Sequence, residues 1–127
     1  MIVVDTSAFM AVLLREPPAD ACTEMLDLEE EVLISAGTLS EILVVAVGRG
    51  IAHRATDLID RLGITVVAAT EATARQIGIA YARWGKGIHP AGLNFGDCFA
   101  YVLAKERGCP LLYVGEDFRK TDIESAL

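Results

Sequence analysis

The sequence predicts an α/β fold: a three-layer α/β/α sandwich around a central parallel sheet of four or five strands. Short apolar runs rich in branched residues, Ile2-Val3-Val4, Val32-Leu33-Ile34-Ser35, Ile64-Thr65-Val66-Val67 and Leu111-Leu112-Tyr113-Val114, alternate with helical stretches. Such alternation calls for right-handed crossovers and parallel strands with helices on both faces. An apolar fraction of 53% and a mean hydropathy of +0.41 suit a sheet buried on both sides.

Ile2-Val3-Val4 reads as the first and central strand. Thr6 or Ser7 then offers an N-cap for a helix over Ala8–Leu14. Pro17-Pro18 ends that helix and starts the next, which runs to about Leu28 and leaves Glu29-Glu30-Glu31 as a solvated turn. The second strand, Val32–Ser35, leads to an apolar helix over Thr38–Val47, closed by Gly48 and Gly50. Ala52–Leu62 is amphipathic, with Asp57, Asp60 and Arg61 on its wet side, and Gly63 turns the chain into the third strand. A helix over Glu71–Trp84 precedes a glycine-rich loop, Gly85–Gly92. The next helix, Gly96–Arg107, is ended by Gly108 and Pro110 before the fourth strand, Leu111–Val114. The tail, Lys120–Leu127, is expected to pair as an edge or lie over the surface.

A length of 127 residues suits a single domain, 1–127, able to bury a core without staples. No apolar run reaches the roughly 20 residues of a membrane span, and the start lacks the basic segment of a signal peptide. Cys22, Cys98 and Cys109 have no paired spacing and read as buried free thiols in a reducing cytoplasm. With 18 acidic against 11 basic residues, the net charge is −7. That argues against a general nucleic-acid binder and favours a basic protein partner.

Four carboxylates carry the functional reading: Asp5, Glu41, Asp97 and Asp117. Asp5 and Asp117 follow strands directly, Glu41 lies one turn into the helix after the second strand, and Asp97 opens the helix that feeds the fourth. In parallel sheets ligands bind beyond the carboxyl ends of the strands, near a switch in strand order. Each acid alone could be a cap or turn residue. Gathered at one sheet edge they repel unless a cation neutralises them, which points to a divalent metal and phosphodiester chemistry. The all-oxygen set suits Mg²⁺, with Mn²⁺ as substitute, and neither His53 nor His89 has zinc-ligand spacing. The helix N-terminus is expected to help hold Asp97 ionised. Ser7 is either a plain N-cap or a hydroxyl that holds a carboxylate or water.

The runs Ile2–Ala8, Ile34–Glu41, His89–Tyr101 and Leu111–Phe118, with Thr121-Asp122-Ile123, resemble a PIN-domain ribonuclease of the VapC type. The likeness spans essentially the whole chain. It implies a PIN-like sheet, an acidic quartet of Asp5, Glu41, Asp97 and Asp117, and Asp5 and Asp97 as the main metal ligands, with Ser7, Thr6 and Asn94 in support. Glu116 stands where such proteins usually have Asn. It leaves open which of Glu116 and Asp117 faces the metal, with Asp117 preferred. The resemblance further implies an endoribonuclease that serves as the toxin of a type II toxin–antitoxin pair, hydrolysing RNA such as tRNA or exposed messenger or ribosomal RNA. It also implies a homodimer and inhibition by a cognate antitoxin.

The loop Arg83–His89 gathers basic character near the acids. Lys86 and His89 are candidate RNA contacts, and Trp84 either stacks on a base or packs inward. Phe9, Met10, Leu13 and Leu14 either seat the antitoxin or form core. A receiver domain fails for want of an Asp at the end of the third strand, Val66-Val67-Ala68-Ala69. A haloacid-dehalogenase-type phosphatase fails because Ser7 stands where a second Asp is needed. A PIN fold that binds RNA or protein without cutting is the alternative, and retention of all four acids counts against it.

Overall fold

A computed structural model describes residues 1–127. The strands are β1 (Ile2–Val4), β2 (Val32–Ser35), β3 (Thr65–Val67) and β4 (Leu111–Leu112). The helices are α1 (Thr6–Leu13), α2 (Ala19–Leu28), α3 (Ala36–Gly48), α4 (Ala52–Leu62), α5 (Glu71–Trp84) and α6 (Phe95–Arg107), with a 3₁₀ turn at Phe118–Lys120. All strand pairings are parallel, in the order β3-β2-β1-β4. The chain winds outward from β1 to β3, then returns to place β4 on the other side. The strand order therefore switches between β1 and β4.

The two-residue period of a strand separates the two faces of the core. Ile2 and Val4 join Ile34 and Leu112 beneath α1 to α4, whereas Val3 joins Leu33 and Leu111 beneath α5 and α6. α6 is the most deeply sunk helix: Cys98 and every residue from Ala100 to Ala104 are buried. All three cysteines are buried and free. No helix is long and apolar enough to cross a membrane.

Several boundaries differ from the sequence expectation. Asp5, rather than Thr6 or Ser7, caps α1, because its carboxylate accepts the Ser7 N–H. Ser35 caps α3 in the same way and starts it two residues before Thr38. β4 ends at Leu112, where the Val114 N–H turns to the Ser7 hydroxyl at 3.0 Å. The tail pairs as an edge: Leu111 N–H donates to the Glu124 carbonyl and Ala126 N–H to the Leu111 carbonyl. Phe9, Met10 and Leu13 are core, with Leu14 half-buried, so α1 offers no apolar seat built on them. Val44 and Val47 on α3 do face solvent, at 72% and 67% exposure.

Candidate active site

Asp5 leaves the end of β1 at the switch point and is 2% exposed. Its Oδ2 accepts the Ser7 N–H at 3.0 Å and the Ser7 hydroxyl at 2.6 Å. Ser7 in turn accepts the Val114 N–H, so one hydroxyl ties the acid to the segment after β4. Asp5 Oδ1 is buried with no hydrogen-bond partner. Burial pushes the Asp5 carboxyl up to about 7; the two Ser7 hydrogen bonds oppose the shift, and the charges of Asp97 and Glu41 add to it.

Asp97 stands in the first turn of α6 in a reciprocal cap: its N–H donates to Asn94 Oδ1 at 2.8 Å and its Oδ2 accepts the Asn94 N–H at 3.0 Å. Burial raises its carboxyl above the ordinary value, helped by Glu41 and Asp117 and opposed by the Asn94 hydrogen bond. Desolvation thus works on this carboxyl against the favourable field of the helix N-terminus.

Glu41 is half-buried on α3, and its Oε1 accepts the Thr6 hydroxyl at 2.5 Å. A Cβ built on Gly96 would overlap the Glu41 carboxylate, so the acid lies directly on the first turn of α6. Asp117 is exposed beyond β4, and its charge reaches Asp97. Glu116 turns instead toward Arg119 Nε at 3.6 Å. The structure thus brings Asp5, Glu41 and Asp97 within reach of one another's charge, with Asp117 reaching Asp97 from the rim, braced by Thr6, Ser7 and Asn94. Gly96 is a contributor that the sequence reading missed; a poor helix former inside a first turn was the available signal.

The loop residues separate. Trp84 is buried, donating from Nε1 to the Tyr101 hydroxyl at 2.9 Å, so it is not a base platform. Tyr101 donates to Asp122 at 2.6 Å, which also pairs with Lys105 at 3.2 Å and Arg83 at 3.5 Å. His89 is half-buried against the Trp84 ring, and its Nδ1 accepts the Ala91 N–H. Lys86 is exposed.

The orphaned Asp5 oxygen and the all-oxygen donor set fit a hard divalent cation. No three acidic, His or Cys side chains close on one point, so the residues do not form an all-protein cage. They fit an ion that keeps most of its water.

A parallel sheet with an acidic cluster at its switch point defines a class, and the comparisons agree with it. The family model described as PIN domain matches residues 2–124. A "Ribonuclease VapC" of Mycolicibacterium smegmatis is 40% identical over 96% of this chain and 97% of its own length. "Ribonuclease VapC30" of Mycobacterium tuberculosis is 41% identical over 96% of this chain and 95% of its own. The chain belongs to the PIN-domain family and, within it, to the VapC ribonucleases. The fold matches that of Mycobacterium tuberculosis VapC20, described as a "Sarcin-Ricin loop cleaving toxin", with a TM-score of 0.78 at 18% identity, covering 97% of this chain and 96% of that one. It also matches a toxin–antitoxin complex from Klebsiella pneumoniae, with a TM-score of 0.73 at 15% identity, covering 96% and 93%.

Proposed function

We propose that this chain is a magnesium-dependent endoribonuclease, the toxin of a type II toxin–antitoxin pair, that hydrolyses RNA phosphodiester bonds at Asp5, Glu41, Asp97 and Asp117. The observation that carries the reading is the buried, unpartnered Oδ1 of Asp5 inside a group of repelling carboxylates. Leaving such an oxygen dry and unpaired costs about 1–3 kcal/mol or more, and a cation removes that cost.

Asp5 and Asp97 are the direct ligands. Glu41, fixed by Thr6 and the Gly96 turn, and Asp117 orient water at the rim. Mg²⁺ or Mn²⁺ held there neutralises the acids and supplies Lewis acidity toward water and phosphate. Ser7 prevents Asp5 from swinging away, and the Asn94 cap does the same for Asp97. Residues held this way before substrate arrives suit a cutting site better than a binding module that has lost its chemistry.

The partner is a cognate antitoxin in the cytoplasm. The acidic pocket of a −7 chain suits an inserted Arg or Lys, whose guanidinium or ammonium takes the place of the metal charge. Such inhibition weakens with salt. The exposed valines of α3 provide the apolar face on which a second copy of the single domain docks. Labelled RNA incubated with purified protein tests the reading: cleavage needs Mg²⁺ and stops in Asp97→Asn. Undiminished cleavage in excess chelator would overturn it.

A further inference from the structure

A groove of about 410 Å³ opens beside Asp97, lined by Ile77, Gly78, Tyr81, Lys86, Asn94 and Phe95. Its size lies within the range of small-ligand sites, roughly 300–1,000 Å³. Phe95 is 70% exposed, an unusual position for a phenyl ring two residues from a proposed metal ligand. The ring is not loose, because it stands edge-on against Phe99, with centroids 5.1 Å apart at 84°. Tyr81, 37% exposed on α5, is also held: its hydroxyl donates to the Lys86 carbonyl at 3.3 Å, and Gly85 lies so close that a Cβ there would strike the ring.

Gly78 adds a second, independent observation. It lies in the interior of α5, where glycine is disfavoured, yet a Cβ there would meet nothing within 4 Å. Packing within the chain does not require this glycine. With no side chain there, this wall of the groove stays open.

Asn94 joins the groove to the acids, since it lines the groove while capping Asp97 through two hydrogen bonds. Lys86 supplies a cation on the same wall of a chain that is otherwise strongly acidic. We infer that this groove is a nucleobase subsite: an unpaired base next to the cleaved phosphate stacks on Phe95 and Tyr81, and Lys86 meets the adjoining phosphate. Aromatic faces bind unpaired bases with little sequence preference. The proposal rests on the nuclease reading and assigns part of its substrate recognition to residues outside the acidic group.

The test pairs protein variants with altered RNA. A short oligoribonucleotide with one cleavage position is prepared intact and with a single abasic nucleotide at each position flanking the cut. Phe95→Ala is expected to lower kcat/KM on intact RNA about tenfold, within the span of one lost base stack. Phe95→Trp retains activity, and Gly78→Leu, which fills the groove, behaves as Phe95→Ala. At one flanking position the abasic RNA is cut equally by wild type and Phe95→Ala, because the contact is already gone. Thermal melting confirms that each variant is folded.

Equal cleavage of intact RNA by wild type and Phe95→Ala overturns the subsite. So does an equal further loss on every abasic RNA, which marks a general disturbance of the site. If Phe95→Ala leaves cleavage unchanged but shifts the mass in light scattering, the groove is a protein interface and the proposal fails. A wild-type protein that cuts no RNA in Mg²⁺ overturns the nuclease reading itself.

Discussion

Removing the charge of Asp5 should abolish the pH dependence that this one carboxyl imposes on the metal-free protein. Its carboxyl is raised from 3.8 to about 7, mainly by burial. Between those values the folded state holds a proton that the unfolded chain releases, so stability falls as pH rises. The sign is opposite to that of an ion-paired Asp. Integrated from pH 5 to pH 8, the loss is about 2–3 kcal/mol. In a domain of this size that is of the order of 10 °C in Tm. Asp5→Asn keeps an oxygen for the two Ser7 donors but sets an amide nitrogen where Oδ1 has no partner. That costs about 1–3 kcal/mol at either pH, so the slope is the informative quantity and absolute stability is not. Asp97, also raised, is present in both proteins, and Asp122, whose carboxyl is lowered, titrates below this window. Thermal melts in excess chelator at pH 5 and pH 8 make the measurement. Wild type should lose stability between them and Asp5→Asn should lose much less. A wild type that is more stable at pH 8, or a variant with the same slope, refutes the reasoning.

Other outcomes follow from the same geometry. Cleavage should be supported by Mg²⁺ and Mn²⁺ and poorly by Zn²⁺, because no His or Cys joins the acids; equal rates in Zn²⁺ would contradict the donor set. Gly96→Ala places a Cβ where the Glu41 carboxylate now lies; the flexible, half-buried Glu41 swings aside, so melting should change little while RNA cleavage falls at least tenfold. Val44→Glu with Val47→Glu should turn a dimer into a folded monomer by light scattering, because both side chains are exposed and their loss leaves no cavity.

Much of the fold was legible because its strands are short, apolar and bounded by glycine, proline or acid. Ile2–Val4 as the central strand, the alternation of helices and strands, and the glycine stops at Gly63 and Gly108 all follow from local chemistry. The start of α1 was misplaced because three capping residues stand in a row, and only tertiary contacts decide among Asp5, Thr6 and Ser7. The same contacts give Thr6 and Ser7 their work: one holds Glu41, the other holds Asp5. Asp97 was legible in part. Its place at a helix start is visible in the sequence, but the burial that raises its carboxyl comes from neighbours far along the chain. Of the two readings open for Trp84, the structure shows the inward one, while Phe95 stays exposed. Hydrophobicity alone does not say which ring faces inward, and Trp84 is drawn in by Tyr101 and Asp122. Both α3 and α6 are strongly apolar in sequence; Ala100 to Ala104 of α6 are buried, whereas Val44 and Val47 of α3 stay exposed.

The central claim is that these four carboxylates cut RNA by holding a divalent cation. The direct measurement is single-turnover cleavage of end-labelled RNA by the purified wild type, Asp5→Asn and Asp97→Asn, each with Mg²⁺ and with excess chelator, and with folding checked by circular dichroism. The predicted result is cleavage by wild type with Mg²⁺ alone, restored when Mg²⁺ is added back after chelation, and loss of at least a hundredfold in both folded variants, about 2.7 kcal/mol of transition-state stabilisation. Metal-independent cleavage, or cleavage by either variant at the wild-type rate, would contradict it.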